Sequence, residues 1–256
     1  MATVSAHYDE LLAELYSWML GDFSARVEAQ RSWLRGLVDD AGEPEELRPR
    51  ALDLGAGAGA EAVALALLGY DVVAVDASAK LVAEMRGRVA EAGLAHRVDV
   101  VQADLVAFLE GPGRGEGRGA GPATLAICLG DTLTHLDSPA TVRQMFRAAR
   151  ARVAAGGKLV ISYRDLSDEL RELDRFFLVR SDASKSLTCF VEYLPGRAVV
   201  HDIVHSRTES GWEMRKSCYP KLRLPVERVC EWLAEAGFRD VERVPCGNGL
   251  VGLVAR

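Results

Sequence analysis

The stretch LDLGAGAGAE, residues 52–61, sets a short apolar run against an acidic residue, Asp53, and then alternates three glycines with alanine. Immediately upstream, RALDLG has the composition of a strand. Immediately downstream, AEAVALALLG has the spacing of a helix and is apolar nearly all round, so it is expected to be buried. Gly55, Gly57 and Gly59 therefore occupy a strand-to-helix turn. Glycine suits such a turn when a ligand approaches the main chain closely and φ is positive.

Working outward, the strand and helix signals alternate. DVVAVD (71–76) reads as a second strand and AKLVAEMRGRVAEAG as an amphipathic helix ending at Gly93. VDVVQADL and ATLAICLG (123–130) read as the third and fourth strands. SPATVRQMFRAARARVAAGG reads as a helix capped by Ser138 and leaving through its glycines, and KLVISYRD as the fifth strand. Such alternation predicts a parallel, doubly wound, Rossmann-like α/β sheet. Before it, YDELLAELYSWMLGDFSARVEAQRSWLRGLVDDAG reads as two helices broken near Gly21 and Asp22, with Leu11, Leu12, Leu15 and Met19 at helical spacing and Asp22 as the second N-cap. After the fifth strand the pattern changes. LTCFVEYL, AVVHDIVHSRTE and WEMRKSCYPKLRL predict an antiparallel β meander inserted as a cover over residues 166–221. PVERVCEWLAEAGF then returns to a helix with Pro225 in its first turn and Gly237 at its end. RDVERVPCGNGLVGLVAR closes with two strands around a Gly-Asn-Gly turn, completing an expected seven-stranded sheet. The expected division is thus residues 1–165 with 222–256 as the ligand-binding domain, and 166–221 as the insert. The glycine-rich run EGPGRGEGRGAGP (110–122) has no strand-to-helix context and reads as a solvated loop.

The glycine turn suits two ligands: the pyrophosphate of a dinucleotide, and S-adenosylmethionine (SAM). Gly55-x-Gly57-x-x-Ala60 satisfies the looser dinucleotide fingerprint. Three features favour SAM. The Asp53 carboxylate would repel phosphates but suits a cationic amino acid. A helical stretch precedes the first strand, where dinucleotide domains often begin with that strand. Asp104, in ADL (103–105), stands after the third strand where an adenine amino group could be read. Asp76 ends the second strand and can accept two hydrogen bonds from ribose hydroxyls. It serves either ligand equally, and a dinucleotide or a purely structural glycine turn stays open as an alternative.

The bulk composition excludes several classes. The 256 residues are 49% hydrophobic, ample for a sizeable core. Lys plus Arg is 31 against 37 Asp plus Glu, a net charge of −6, which argues against a dedicated nucleic-acid binder. Cys128, Cys189, Cys218, Cys230 and Cys246 are scattered and odd in number, with neither metal-ligand spacing nor a disulfide framework. His201 and His205 share one strand face with Asp202 opposite, so they do not converge as metal ligands. The N-terminus has no basic segment followed by an apolar one, and no apolar run is long enough for a membrane span. The expectation is a cytoplasmic protein with no metal, membrane or nucleic-acid partner.

Together these segments resemble class I SAM-dependent methyltransferases, and within that class they are similar to glycine N-methyltransferases. The resemblance rests on LGDFSARVEAQRSWL (20–34), LDLGAGAG, VDAS (75–78), ADL, CLGDTLTHL (128–136), VISYRD (160–165) and RKSCYP (215–220). It implies SAM as cofactor and a small-molecule acceptor. It also implies that Arg26 holds the methionine carboxylate, that Tyr16 lines the SAM pocket, and that Gly55 meets the methionine moiety beside Gly57 and Asp53. Asp76 and Ala77 would lie at the ribose, Asp104 and Leu105 at the adenine, and Leu129 against the cofactor. Arg164 would hold an acceptor carboxylate, with Tyr219 and His135 nearby. Two positions depart from the family pattern: Asp131 replaces an asparagine and Met19 a tyrosine of the acceptor site. Asp131, Arg164 and Tyr219 are the expected catalytic set, and Met19 and His135 join them in contacting the acceptor.

Methyl transfer from a sulfonium needs alignment and water exclusion rather than a covalent enzyme intermediate. N-methylation of an amine or amino-acid-like acceptor is the favoured expectation. O-methylation of a carboxylate or phenol, with His135 as base, and a non-catalytic SAM-binding role are the alternatives, and an NAD-dependent oxidoreductase is the remaining class.

Overall fold

The computed structural model describes residues 7, 11–38, 48–111 and 121–256. The expectations for residues 8–10 of the first helix and for 112–120 of the glycine-rich run fall outside them. Helix α1 (Ala13–Leu20) stops at Gly21, whose φ of 87° is left-handed, and the Asp22 carboxylate accepts from Ala25 N to start α2 (Phe23–Arg35).

The alternating region folds as β1 (Arg50–Leu54), α3 (Ala60–Leu67), β2 (Asp71–Asp76), α4 (Ala79–Glu91), β3 (Val98–Gln102), α5 (Leu105–Glu110), β4 (Ala123–Cys128), α6 (Pro139–Arg152) and β5 (Val153–Tyr163). The insert supplies β6 (Phe176–Ser181), β7 (Lys185–Leu194), β8 (Arg197–Thr208) and β9 (Gly211–Leu222). Helix α7 (Val226–Glu235) and strands β10 (Glu242–Val244) and β11 (Val251–Ala255) return to the main sheet. That sheet has seven strands in the order β10-β11-β5-β4-β1-β2-β3. Strands β1 to β5 pair in parallel, while β11 lies antiparallel to β5 and β10 to β11.

The connection reverses direction between β1 and β4, which are neighbours in space but not in sequence. At such a switch point the loops leaving the two strands diverge and open a crevice at the carboxyl ends. Both faces of the sheet are covered. Helix α3 is buried from Ala60 through Ala66, because its alanines let it lie close against the sheet, while α6 and α7 pack the other face through Met145, Phe146, Val229 and Leu233.

The insert is a separate four-stranded antiparallel sheet, β6-β7-β8-β9. Its register puts Phe177, Cys189 and Asp202 in one cross-strand row, Val191, Val200 and Tyr219 in the next, and Ala198 beside Lys221 beyond that. Alternation of side chains along each strand sends these rows to one face. Leu166 and Tyr193 pack with that face, and Leu187 and Val204 pack on Leu11 and Leu15 of the N-terminal segment.

The elements differ from the sequence reading in three places. The helix expected to run through VAAGG ends at Arg152, and Val153 already opens β5. Arg150 Nη1 donates to Val153 O at 2.9 Å, just past the helix, and Arg152 Nε donates across to Leu109 O of α5 at 2.8 Å. Strand β6 was not expected: FFLV has no alternation, because as an edge strand it leaves Phe176, Phe177, Leu178 and Val179 all partly exposed. Helix α5 was also not expected. Asp104 caps it by accepting from Ala107 N at 2.9 Å.

Candidate active site

A cleft of about 820 Å³ lies between the carboxyl ends of β4 and β5 and the inner face of the four-stranded sheet. A cavity of about 70 Å³ runs on from it to the glycine turn and shares Tyr16, Arg26, Leu129, Gly130, Asp131 and His135 with it.

At the glycine end, Gly55 (φ 80°) and Gly57 (φ 55°) are left-handed. A Cβ at Gly55 would fall 2.3 Å from Thr132 Cγ2, and one at Gly57 would fall 3.0 Å from the Tyr16 hydroxyl. Gly55 has no room for a side chain, and one at Gly57 would push Tyr16 aside and strain the left-handed backbone. The Asp76 carboxylate accepts from Gly57 N at 2.8 Å and from Ser78 N at 2.9 Å, so it ties the turn to the end of β2. Ala77, next to it, is exposed. Asp53 is 1% exposed and its Oδ2 makes no hydrogen bond to any described residue. Burial, with the charges of Glu61 and Asp76 beside it, pushes its pKa well above the usual carboxylate range. Arg26 Nη2 donates to Glu61 Oε1 at 2.7 Å, and its buried Nε bonds no described residue. Burial alone would lower the guanidinium pKa, but Glu61 outweighs it and the net shift is upward. The Tyr16 phenol is pushed up by burial and by Glu61, so it stays protonated.

Two of the residues expected near the cofactor have local structural duties. Asp104 is exposed and caps α5, and the Leu105 side chain is in the core, so only main chain or the second Asp104 oxygen is left for a ligand. Leu129 is 8% exposed and lines both cavities.

At the other end, Asp131 follows β4. Its Oδ1 accepts from Arg164 N at 3.0 Å, and its Oδ2 accepts from Lys221 Nζ at 2.7 Å. Burial would raise its pKa, but Lys221, and then Arg164, pull it down to about 2. The Arg164 guanidinium stands off, with Nε 3.9 Å from Asp131 Oδ2 and a side chain 42% exposed on the cleft. Gly130 N donates to Ser162 Oγ at 2.9 Å, which binds the two strand ends together. His135 ends the single 3₁₀ turn Thr132–His135, edge-on to Tyr219 with ring centroids 5.5 Å apart. Desolvation and the Lys221 charge lower its pKa to about 3, so its ring is neutral. Tyr219 stacks on His7 at 4.2 Å, and His7 Nε2 lies 2.9 Å from Asp202 Oδ2 with both residues buried. The Cys189 thiol donates to Asp202 Oδ1 at 2.8 Å, and burial pushes that thiol up, so it stays protonated. Met19 lines the cleft from α1.

The structure thus brings Tyr16, Met19, Arg26, Leu129, Asp131, His135, Arg164 and Tyr219 to one cleft, and Asp53 and Gly55 to its extension. The sequence pairing of Arg164 with a free Asp131 needs revision, since both Asp131 oxygens are engaged. Lys221, which engages one of them, was missed, although it follows Tyr219 by two residues on one strand face. Thr132, Glu61 and His7 were also missed. Glu61 was legible only as part of an apolar helix, and His7 gains its partner from β8 through tertiary packing alone. Tyr163 is fully buried in the core rather than in the cleft, and Tyr193 stacks under Arg223.

With this geometry in hand, residues 51–157 match the family model described as a methyltransferase domain. Among curated proteins none matches. Solved structures match nearly end to end. The CcbJ methyltransferase of Streptomyces caelestis superposes with a TM-score of 0.75 at 20% identity, covering 97% of both chains. CalS10 of Micromonospora echinaspora, an amino pentose methyltransferase solved with SAM bound, gives 0.73 at 17% identity over 95% of both. The sugar N-methyltransferase KedS8 of Streptoalloteichus sp. gives 0.69 at 17%, covering 100% of this chain and 96% of the other. The seven-stranded sheet with its separate four-stranded sheet is the Rossmann-like methyltransferase fold. Among the described residues no helix is long and apolar enough to cross a membrane.

Proposed function

We propose that the chain is a SAM-dependent N-methyltransferase whose small-molecule acceptor carries an anionic group. The observation that carries this reading is the Arg164 guanidinium. It faces the cleft without a hydrogen bond to any described residue, because Lys221 and the Arg164 main chain have already taken Asp131.

The glycine end suits SAM by charge and shape. Bound SAM supplies an electrophilic methyl on a sulfonium. The buried Nε of Arg26 offers a donor to the methionine carboxylate, the unpartnered Asp53 Oδ2 an acceptor to its ammonium, and Asp76 acceptors to the ribose hydroxyls. Leu129 separates this end from the acceptor end. The neighbours CalS10 and the glycopeptide N-methyltransferase MtfA, both solved with SAM, support the cofactor.

The acceptor end favours nitrogen over oxygen. A hydroxyl needs a base in the site, but Asp131 is held at about 2 and His135 at about 3, so neither takes a proton readily near neutral pH. An amine can lose its proton to solvent before it binds, and its lone pair then only needs alignment. The inner face of the four-stranded sheet walls the cleft with Val191, Val200 and Tyr219, which keeps water from its depth. Arg164 fixes the acceptor anion, Lys221 keeps Asp131 from competing for Arg164, and His135 with Tyr219 forms the wall.

The test is incubation with SAM and paired acceptors, a primary amine with and without a carboxylate and the matching alcohols, reading S-adenosylhomocysteine and the methylated product by mass. Methylation of the amino acid, weakened about tenfold in Arg164→Ala while SAM still binds, is expected. Transfer to the alcohols instead would overturn the nitrogen assignment, and full turnover in Arg164→Ala would overturn the anion site.

A further inference from the structure

The cleft is larger and more apolar than an amine and a carboxylate require. Its charged groups are Asp131 and Arg164 at the main-sheet strand ends, Arg26 on α2, and Asp202 and Lys221 on the four-stranded sheet, where Asp202 is engaged by His7 and Cys189 and Lys221 by Asp131. Its opposite wall is the inner face of the four-stranded sheet, where Val191, Val200 and Tyr219 form one cross-strand row. These three are nearly buried, at 3%, 7% and 5% exposure. The wall continues outward onto the edge strand β6, where Phe177 and Val179 also line the cleft but remain 42% and 39% exposed. A β-bulge between Leu178 and Arg180 breaks the alternation there and turns Val179 toward the cleft beside Phe177. A continuous apolar wall that is dry at depth and open at its rim is the lining of a ligand groove, and the polar groups that orient the ligand lie opposite it.

We infer that the acceptor has two unlike faces: an anionic, amine-bearing edge that meets Arg164, and a flat apolar body, aromatic or fused-ring, that lies on Val191, Val200 and Tyr219 and is closed over by Phe177 and Val179. This rests on the methyl-transfer reading above and narrows its substrate class. Charge complementarity fixes the orientation. Lys221 springs from the same sheet as the apolar row, but its Nζ reaches Asp131 Oδ2 at 2.7 Å, so the excess positive charge of Arg164 and Lys221 over Asp131 gathers at the ends of β4 and β5, away from Phe177 and Val179 at the rim. A free glycine or an unsubstituted sugar would leave the outer wall wet. Binding would remove the apolar surface of Phe177 and Val179 from water, and that surface contributes affinity in proportion to the area covered.

Binding is measured apart from turnover, by calorimetry on the full chain saturated with S-adenosylhomocysteine. The probes are glycine and phenylglycine, which share the amine and carboxylate and differ by one aromatic ring. Phenylglycine is expected to bind at least about tenfold more tightly, the discrimination an apolar pocket gives for added apolar bulk. The double variant Phe177→Ala with Val179→Ala is expected to bring the ratio close to one while SAM affinity is unchanged. Both positions are on an exposed edge, so the fold should tolerate the change, and a thermal melt checks it. Equal affinities, absent binding of both probes, or a ratio that survives in the double variant overturns the inference. The methyl-transfer reading is judged separately, by S-adenosylhomocysteine release with the paired acceptors.

Discussion

At the β1–β2 end of the cleft, Asp76 accepts from main-chain N–H groups two and 19 residues away. At the β4–β5 end, Asp131 is held by Lys221, 90 residues further on, and Tyr219 stacks on His7, whose partner Asp202 lies 195 residues from it. The first end is a main-chain device, a turn whose shape follows from three glycines and one carboxylate in a single supersecondary unit. The second is a side-chain device, assembled only when the four-stranded sheet docks on the main one. A main-chain device tolerates no added Cβ, and a side-chain device tolerates no unpaired charge. The two ends should therefore fail differently.

The largest effect is expected at the first end. Gly55→Ala forces an L side chain into left-handed φ and drives its Cβ onto Thr132. Strain and overpacking together should destabilise the fold by about 2–4 kcal/mol and abolish SAM binding. Chemical denaturation and calorimetry would measure both. Adding Thr132→Ala should recover the packing part and leave the backbone part. Full recovery would show that the turn is not conformationally demanding.

At the second end, Lys221→Met should cost about 3 kcal/mol of stability, because it strands the Asp131 carboxylate in a largely desolvated place. Lys221→Met with Asp131→Asn should cost clearly less than the two single changes added together. Strict additivity in that double-mutant cycle would mean that the ion pair does not hold the two sheets together.

Asp76→Ala should weaken SAM by about 1.5–3 kcal/mol, the scale of lost hydrogen bonds to a charged acceptor, while stability changes less than in Gly55→Ala. Unchanged SAM affinity would remove Asp76 from the ribose. Arg164→Ala, at a half-exposed side chain, should cost an anionic acceptor about 1–2 kcal/mol with SAM affinity intact. A loss of SAM affinity instead would place Arg164 at the wrong end.

The smallest effect is in pH dependence. His135 titrates at about 3 in the folded protein against 6.5 for an ordinary histidine. Between these values the unfolded chain binds a proton that the folded chain refuses, so stability falls as pH drops below about 6.5 and the loss levels off near 3. Because the ring is only partly enclosed, His135→Gln should spare about 1 kcal/mol per pH unit or less, read as a flatter denaturation midpoint between pH 6 and 4.5. A parallel slope in the variant would show that the ring is solvated.

How much could be read from sequence follows the same division. The doubly wound sheet, the Asp22 and Ser138 caps and the glycine turn were legible, because period, caps and glycine spacing act within a few residues. Strand β6 was not, since an edge strand exposed on both faces has no alternation to detect. Lys221 was within reach, two residues beyond Tyr219 on the inner face of β9, but nothing in the sequence pairs that face with the end of β4. His7 paired with Asp202 was out of reach altogether. The carboxylate of Asp131 at the end of β4 was visible, while its consequence was not, since a carboxylate reads as a free base until its cation is seen beside it.

By itself, then, the sequence determined most of the elements, the parallel sheet and the glycine turn, because hydrogen-bonding period, capping and left-handed glycine geometry are local. Only the tertiary structure decided which charges are spent on each other and which face the cleft. Coulombic pairing depends on separation in space and on desolvation, and neither is written in the spacing of residues along the chain.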